Sequence, residues 1–305
     1  MASPPIHRST LLADSQLLLA AAIWGFAFVA QRAGMEHVGP FTFNGVRFLL
    51  GSVTLLPLLI IVRRRISPDV SKSERPAVRA FRLVLVGVVL FAAATLQQVG
   101  LVYTTAGKAG FITGLYVVVI PLLGLLIGQR VRWLVWVAAV ASLAGLYLLA
   151  GVETGGIGIG DGLVLVGAFG WAVHVQLVGW LVRRVHPVWI AVVQTAICGA
   201  LSLAVAGATE HISFVGLQDA LPALLFAGIL SVGVAYTLQV VGQRRVDPSR
   251  AGILVSLEAA FAVFGGWLLL GESVTPVMLG GCALMFAGMV LSQLRGRRPA
   301  RTGAE

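Results

Sequence analysis

Thr95-Leu96-Gln97-Gln98-Val99-Gly100 returns 142 residues later as Thr237-Leu238-Gln239-Val240-Val241-Gly242, with five of the six positions identical. The same offset carries Ala109-Gly110 onto Ala251-Gly252 and Gly124 onto Gly266. A slip of one residue carries Ala144-Gly145 onto Ala287-Gly288, and upstream Trp24 meets Trp171 at an offset of 147. The longer basic loop 63–82 accounts for that difference. Each match is weak alone in so apolar a chain. Their shared order is what argues for a duplication.

Composition names the class of protein around these matches. Of 305 residues, 58% are hydrophobic and 11% charged, against about 25% charged in an ordinary globular domain. That excludes the two soluble domains this length would otherwise suggest. Ten apolar stretches lie near 15–34, 41–62, 83–102, 109–128, 133–150, 161–182, 188–208, 219–242, 251–270 and 276–294. Each approaches the roughly 20 residues that a helix needs to cross a bilayer. Gln129-Arg130-Val131-Arg132 alone divides the fourth from the fifth, and its arginine pair must reach water. The expected fold is an all-α integral membrane protein with ten transmembrane helices in two five-helix repeats. A cytoplasmic N-terminal segment 1–14 precedes the first repeat, 15–150; an outer linker 151–160 leads to the second, 161–294, and a basic cytoplasmic tail 295–305 follows. Five is an odd number, so the second repeat enters the membrane upside down relative to the first. Inverted repeats are characteristic of alternating-access transporters, with the substrate site near the midplane between the halves.

Positive charge orients the bundle. With the N-terminus inside, 19 of the 22 Lys and Arg residues fall on inner segments, among them Arg130, Arg132, Arg183, Arg184, Arg244, Arg245 and Arg250. The outer side holds Arg32 and Lys108 beside Glu36, Glu153, Asp161, Glu210, Asp219 and Glu272. Lys and Arg excess marks the cytoplasmic face, so both termini are expected in the cytoplasm of a multi-pass cell-membrane protein. The net charge of +10 is then an orientation signal with weak attraction to anionic lipid, and implies no nucleic-acid partner. The apolar run from Ser15 to Ala33 is too long for a signal-peptide core and reads as a retained first helix. Cys198 and Cys282 stand alone in separate spans, so neither a disulfide framework nor a metal set is expected. The Gly-rich 155–160 lacks the Lys and Ser/Thr of a phosphate-binding loop, and no cofactor is expected.

Leu257-Glu258-Ala259-Ala260-Phe261 runs on through Trp267-Leu268-Leu269-Leu270-Gly271-Glu272-Ser273-Val274-Thr275-Pro276 into Gly280-Gly281 and Ala287-Gly288. This stretch resembles the ninth and tenth helices of the drug/metabolite transporter superfamily, EamA type. Ala22-Ile23-Trp24-Gly25 with Arg47-Phe48 resembles its first two helices, and Gly110-Phe111-Ile112-Thr113-Gly114-Leu115-Tyr116 with Pro121 its fourth. The resemblance covers nearly the whole chain. It implies cytoplasmic termini, a central cavity, and movement of amino acids, other small metabolites or drugs, often outward. One departure stands out: Ala259 follows Glu258 where the family commonly has Pro, which puts a kink of the ninth helix in question.

Ionisable and polar groups inside spans are costly in lipid and mark interior or functional positions. Trp24 and Trp171 fall near the middle of their spans, too deep for an interfacial belt, and so either pack or line a cavity. Gln97 and Gln239 bridge helices or contact substrate. Tyr116, Tyr236, His174 and Glu258 complete the candidate wall, with Glu258 and His174 as candidates for proton coupling. Arg47 is read as structural, pairing with Glu36 near the outer mouth or snorkelling. Gly110-xxx-Gly114 and Gly124-xxx-Gly128 read as packing faces, and Pro57 and Pro121 as kinks.

The expected partners are a small-molecule substrate, the bilayer and protons, in a monomer or homodimer. The expected activity is secondary transport of an amino acid or similar amphiphile. Nucleotide-sugar or lipid-linked sugar transport is the nearest alternative, and a membrane-embedded enzyme the more distant one. Against the enzyme stand the lack of HExxH, of paired intramembrane carboxylates and of a Ser/His/Asp grouping.

Overall fold

The computed structural model describes residues 6–63, 76–104, 106–150, 158–270 and 274–293. Most of the basic loop 63–82, most of the linker 151–160, the segment 271–273 and the basic tail lie outside the described residues. Every described element is helical. In the first half α1 (Ile6–Gly34), α2 (Pro40–Thr54), α3 (Leu56–Arg63) and α4 (Pro76–Tyr103) precede α5 (Ala106–Gly114), α6 (Tyr116–Leu126) and α7 (Trp133–Ala150). The second half begins with α8 (Ile159–Leu181), α9 (Pro187–Thr209), α10 (Phe214–Asp219) and α11 (Leu221–Leu225). A π-helical stretch, Phe226–Ala235, leads into α12 (Tyr236–Gln243), α13 (Pro248–Ser256), α14 (Glu258–Leu270) and α15 (Pro276–Gln293).

Eight stretches among the described residues are long and apolar enough to cross a bilayer. They are Thr10–Gly34, Pro40–Ile61, Ala77–Tyr103, Ala109–Leu126, Ile159–Leu181, Pro187–Thr209, Leu221–Gln243 and Pro248–Leu269. Trp133–Leu148 and Pro276–Ser292 are shorter apolar helices, at the fifth and tenth positions of the expected series. Their parent helices, α7 and α15, have 18 residues each. At ~1.5 Å per residue such a helix spans about 27 Å, just short of a ~30 Å hydrocarbon core.

Several expected boundaries move. α4 starts at Pro76 rather than 83, because proline suits a first helical turn. Arg82, expected in a loop, therefore lies on α4 with its guanidinium 4.4 Å from the Trp180 ring centroid. α10 lies within the expected outer loop, its start capped by Ser213 Oγ, which accepts from the Gly216 N–H. His186 caps α9 by accepting the Val188 N–H at Nδ1, 3.3 Å away. Burial, and then the charge of Arg244, lowers the His186 pKa and favours this neutral, accepting ring.

Two spans break at matching points. α5 and α6 are parted by Leu115, and α13 and α14 by Leu257, residues related by the offset of 142. The ninth-helix break therefore forms with Ala259 in place of proline. Pro121 sits inside α6 without interrupting it, whereas the α2/α3 break at Leu55 lies two residues before Pro57. Of the glycines expected to pack, Gly114 does face Leu146, but Gly110 and Gly128 have open space beside them. Gly128 has φ +77° and ends α6 in the left-handed conformation that glycine tolerates, so it is a turn residue.

The helix contacts come in matched sets. α4 packs on α8 as the π stretch and α12 pack on α1; α2 packs on the π stretch as α9 packs on α4. Single residues follow suit. A Cβ on Gly100 would meet Val164 and the Gly160 carbonyl, and one on Gly242 would meet Leu17 and the Ala13 carbonyl. Gly242 is the repeat counterpart of Gly100, and Ala13 and Leu17 those of Gly160 and Val164. Likewise Gly145 on α7 faces Gly281 and Met285 on α15, while Gly288 on α15 faces Ala138 and Ser142 on α7.

Candidate functional site

Broken and π-helical segments converge on a cavity at the centre of the bundle. Seven of the eight residues singled out in the sequence line it: Trp24, Gln97, Tyr116, Trp171, Tyr236, Gln239 and Glu258. His174 does not. It is fully buried behind the wall, with Nε2 3.0 Å from Gln194 Oε1 and its ring edge-on to Trp171.

Polar contacts on the wall cross between the halves. The Trp24 indole N–H donates to the Ser231 carbonyl, 3.1 Å away in the π stretch. Trp171 donates in the other direction, to Gln97 Oε1 at 2.6 Å. The Tyr116 hydroxyl donates to Glu258 Oε1 at 2.9 Å. Tyr116 and Glu258 are repeat counterparts, so a residue here touches its own equivalent. Each is also the first residue after its helix break. Trp24 and Tyr236 pack edge to face at 4.8 Å, leaving an aromatic box with polar corners.

On the arginine-rich side the wall runs into an apolar cluster. Leu17, Ile120 and Leu254 are fully buried in it, below the cavity. Gln176 donates to the Ile120 carbonyl and accepts from Gln129, while Gln243 donates to the Val175 carbonyl. Asp14 on α1 and Arg250 on α13 form an ion pair that ties the two halves together.

The wall also holds groups that the sequence reading left out. Phe28 and Gln31 follow Trp24 at helical spacings of four and seven, and Thr113, Val175 and Val255 stand three or four residues from Tyr116, Trp171 and Glu258. Extending each candidate along its helix face would have found them. Gln31 Oε1, Thr113 Oγ1 and Gln239 Oε1 are buried without a hydrogen-bond partner, which leaves polar valence on the wall.

Arg47 corrects the expectation most plainly. Its side chain is 5% exposed and turned inward onto the cavity, while Glu36 is exposed. Its Nε donates to Asn44 Oδ1 at 2.9 Å and a terminal nitrogen to Gln98 Oε1 at 3.3 Å. Inward-facing polar residues on α2 and α4 supplied partners that linear spacing could not reveal.

The model of the EamA-like transporter family matches residues 11–151 and again 158–294. An uncharacterized transporter of Archaeoglobus fulgidus is 31% identical over 286 residues, covering 93% of this chain and 87% of its own. The uncharacterized inner membrane transporter YedA of Escherichia coli K12 is 28% identical over 272 residues, 84% of this chain and 82% of its own. The threonine/homoserine exporter RhtA of Escherichia coli K12 is 28% identical over 171 residues, 55% of this chain and 56% of its own. A solved crystal structure shares the fold, with a TM-score of 0.74 at 20% identity over 97% of this chain and 99% of that one.

Proposed function

We propose, from the premise that this chain belongs to the EamA-like transporter family, that it is a secondary transporter exporting an amino acid or similar small amphiphile. It would do so across the cytoplasmic membrane by alternating access, with both termini in the cytoplasm and ten spans in two inverted halves. One observation carries the reading: side chains from both halves meet on the wall of one central cavity at matched breaks. That is the arrangement expected where a substrate lies at a repeat interface near the midplane. The reciprocal contacts of Gly145 and Gly288 support the inversion, since a twofold axis makes such contacts recur in pairs. The exporter name of RhtA favours an amino acid as cargo.

The Asp14–Arg250 pair and the apolar layer beneath the cavity would close the arginine-rich side in one state of the cycle. Alternation would part them. Lys108 and Asp161 are the repeat counterparts of Arg250 and Asp14 at the starts of their own spans, which the inversion would put on the opposite side of the membrane.

The test is amino-acid release from sealed proteoliposomes. Trp24→Ala or Trp171→Ala should slow release at least about tenfold, as expected for lost aromatic packing and a lost hydrogen bond. Trp180→Ala and Trp267→Ala, away from the cavity, should fall much less. Equal losses in both sets would remove the cavity from the mechanism.

A further inference from the structure

We infer that Arg47 is the docking point for a carboxylate group of the ligand that occupies the cavity. The inference rests on the transporter reading and names a chemistry within it. Arg47 lies within the second span, 5% exposed, and forms part of the cavity wall. A guanidinium stays charged under all ordinary conditions, and a buried charge needs an opposite charge or extensive hydrogen bonding. Its two hydrogen-bonding side-chain partners, Asn44 and Gln98, are neutral. The ring centroids of Phe48 and Phe43, 4.9 and 5.7 Å from Cζ, attract the cation without neutralising it. Among the described residues no carboxylate lies within ion-pair distance of it. Glu258 shares the cavity but is bonded to the Tyr116 hydroxyl.

The two contacts made by Arg47 use its Nε–H and one N–H of a terminal nitrogen, and leave the remaining N–H groups, on both terminal nitrogens, for a planar, two-oxygen acceptor. A single cation matches a single negative charge. A phosphate dianion would keep an unbalanced charge in the same narrow space as the Glu258 carboxyl group. A monocarboxylate balances Arg47 and leaves the rest of the ligand among Trp24, Trp171 and Glu258.

Binding is measured on the purified full-length protein in detergent by titration calorimetry. The probes are the proteinogenic L-amino acids and their methyl esters, which keep shape and amine but lose the anion. At least one acid should bind the wild type, and its ester about tenfold or more weakly, since a charged hydrogen-bonded pair is lost. Arg47→Gln should erase that difference, while Arg47→Lys should keep part of it. Equal binding of acid and ester, binding of no acid, or intact discrimination in a folded Arg47→Gln protein would overturn the inference. If Arg47→Gln does not fold, the acid-against-ester comparison in the wild type still decides. The transporter reading is judged separately in sealed vesicles. Arg47-independent movement of a solute without a carboxylate would keep that reading and discard the dock. Vesicles that move nothing would discard the transporter reading, while the dock stands or falls by the acid-against-ester comparison.

Discussion

Glu258 and Tyr116 meet as repeat counterparts, and the contact places a carboxyl group on the line about which the two halves correspond. An acidic group deep in a span is expensive, roughly 2.5–3.5 kcal/mol on insertion scales. One hydrogen bond to a charged group returns about 1.5–3 kcal/mol, so the Tyr116 hydroxyl offsets much of that cost. Tyr236 lines the same cavity. We propose that a carboxyl so held exchanges a proton against a cationic substrate group during alternation. Glu258→Gln should therefore stay folded, lose most of its transport and flatten its pH profile in proteoliposomes with imposed pH gradients. Equal rates and profiles for wild type and variant would make Glu258 a packing residue. These positions were legible in the sequence because polar and aromatic groups are scarce inside spans and recur at the repeat offset. The inward turn of Arg47 and the place of His174 behind the wall were not legible. Depth in a span says nothing of which way a side chain turns, and only packing puts Arg47 on the wall and His174 behind it.

Helix pairs are set by glycines where backbones touch. A Cβ on Gly145 would fall 2.6 Å from the Gly281 carbonyl oxygen, and one on Gly288 would fall 2.8 Å from that of Ala138. Gly280, on the same helix as Gly288, has nothing within 4 Å. Gly145→Ala and Gly288→Ala should each lower the thermal midpoint of the purified protein, as overpacking costs typically ~1–3 kcal/mol. Gly280→Ala should be neutral or stabilising by up to about 1 kcal/mol, since alanine is the better helix former. A destabilised Gly280→Ala beside an unaffected Gly145→Ala would contradict the α7–α15 contact. The all-helical, multi-span character of the chain was readable from hydropathy. The π stretch Phe226–Ala235 was not, because its residues are as apolar as an ordinary span and its departure lies in hydrogen-bond register. The break at Leu257 also forms without proline. There Gly25 lets α1 approach the Glu258 carbonyl and the Phe261 side chain, a tertiary contact that no local motif announces.

At the scale of the whole molecule, the arginine-rich turns, the matched breaks and the reciprocal contacts all argue for two halves working across one cavity. Charge carries the expected orientation, because it is written in loops and not in packing. The cargo was not legible, since a handful of polar groups fixes it. The most direct measurement is selective solute release from sealed vesicles. Purified protein is placed in liposomes loaded with a mixture of the proteinogenic amino acids, without ATP, and what leaves is identified by mass spectrometry. Orientation is read with cysteines at Ser213 and Arg183, of which an impermeant reagent should reach only Ser213 in outside-out molecules. The account predicts faster release of at least one amino acid than from protein-free vesicles, and loss of that release in Trp171→Ala. No release above the protein-free rate, or simultaneous labelling of both cysteines from one side of uniformly oriented vesicles, would contradict it.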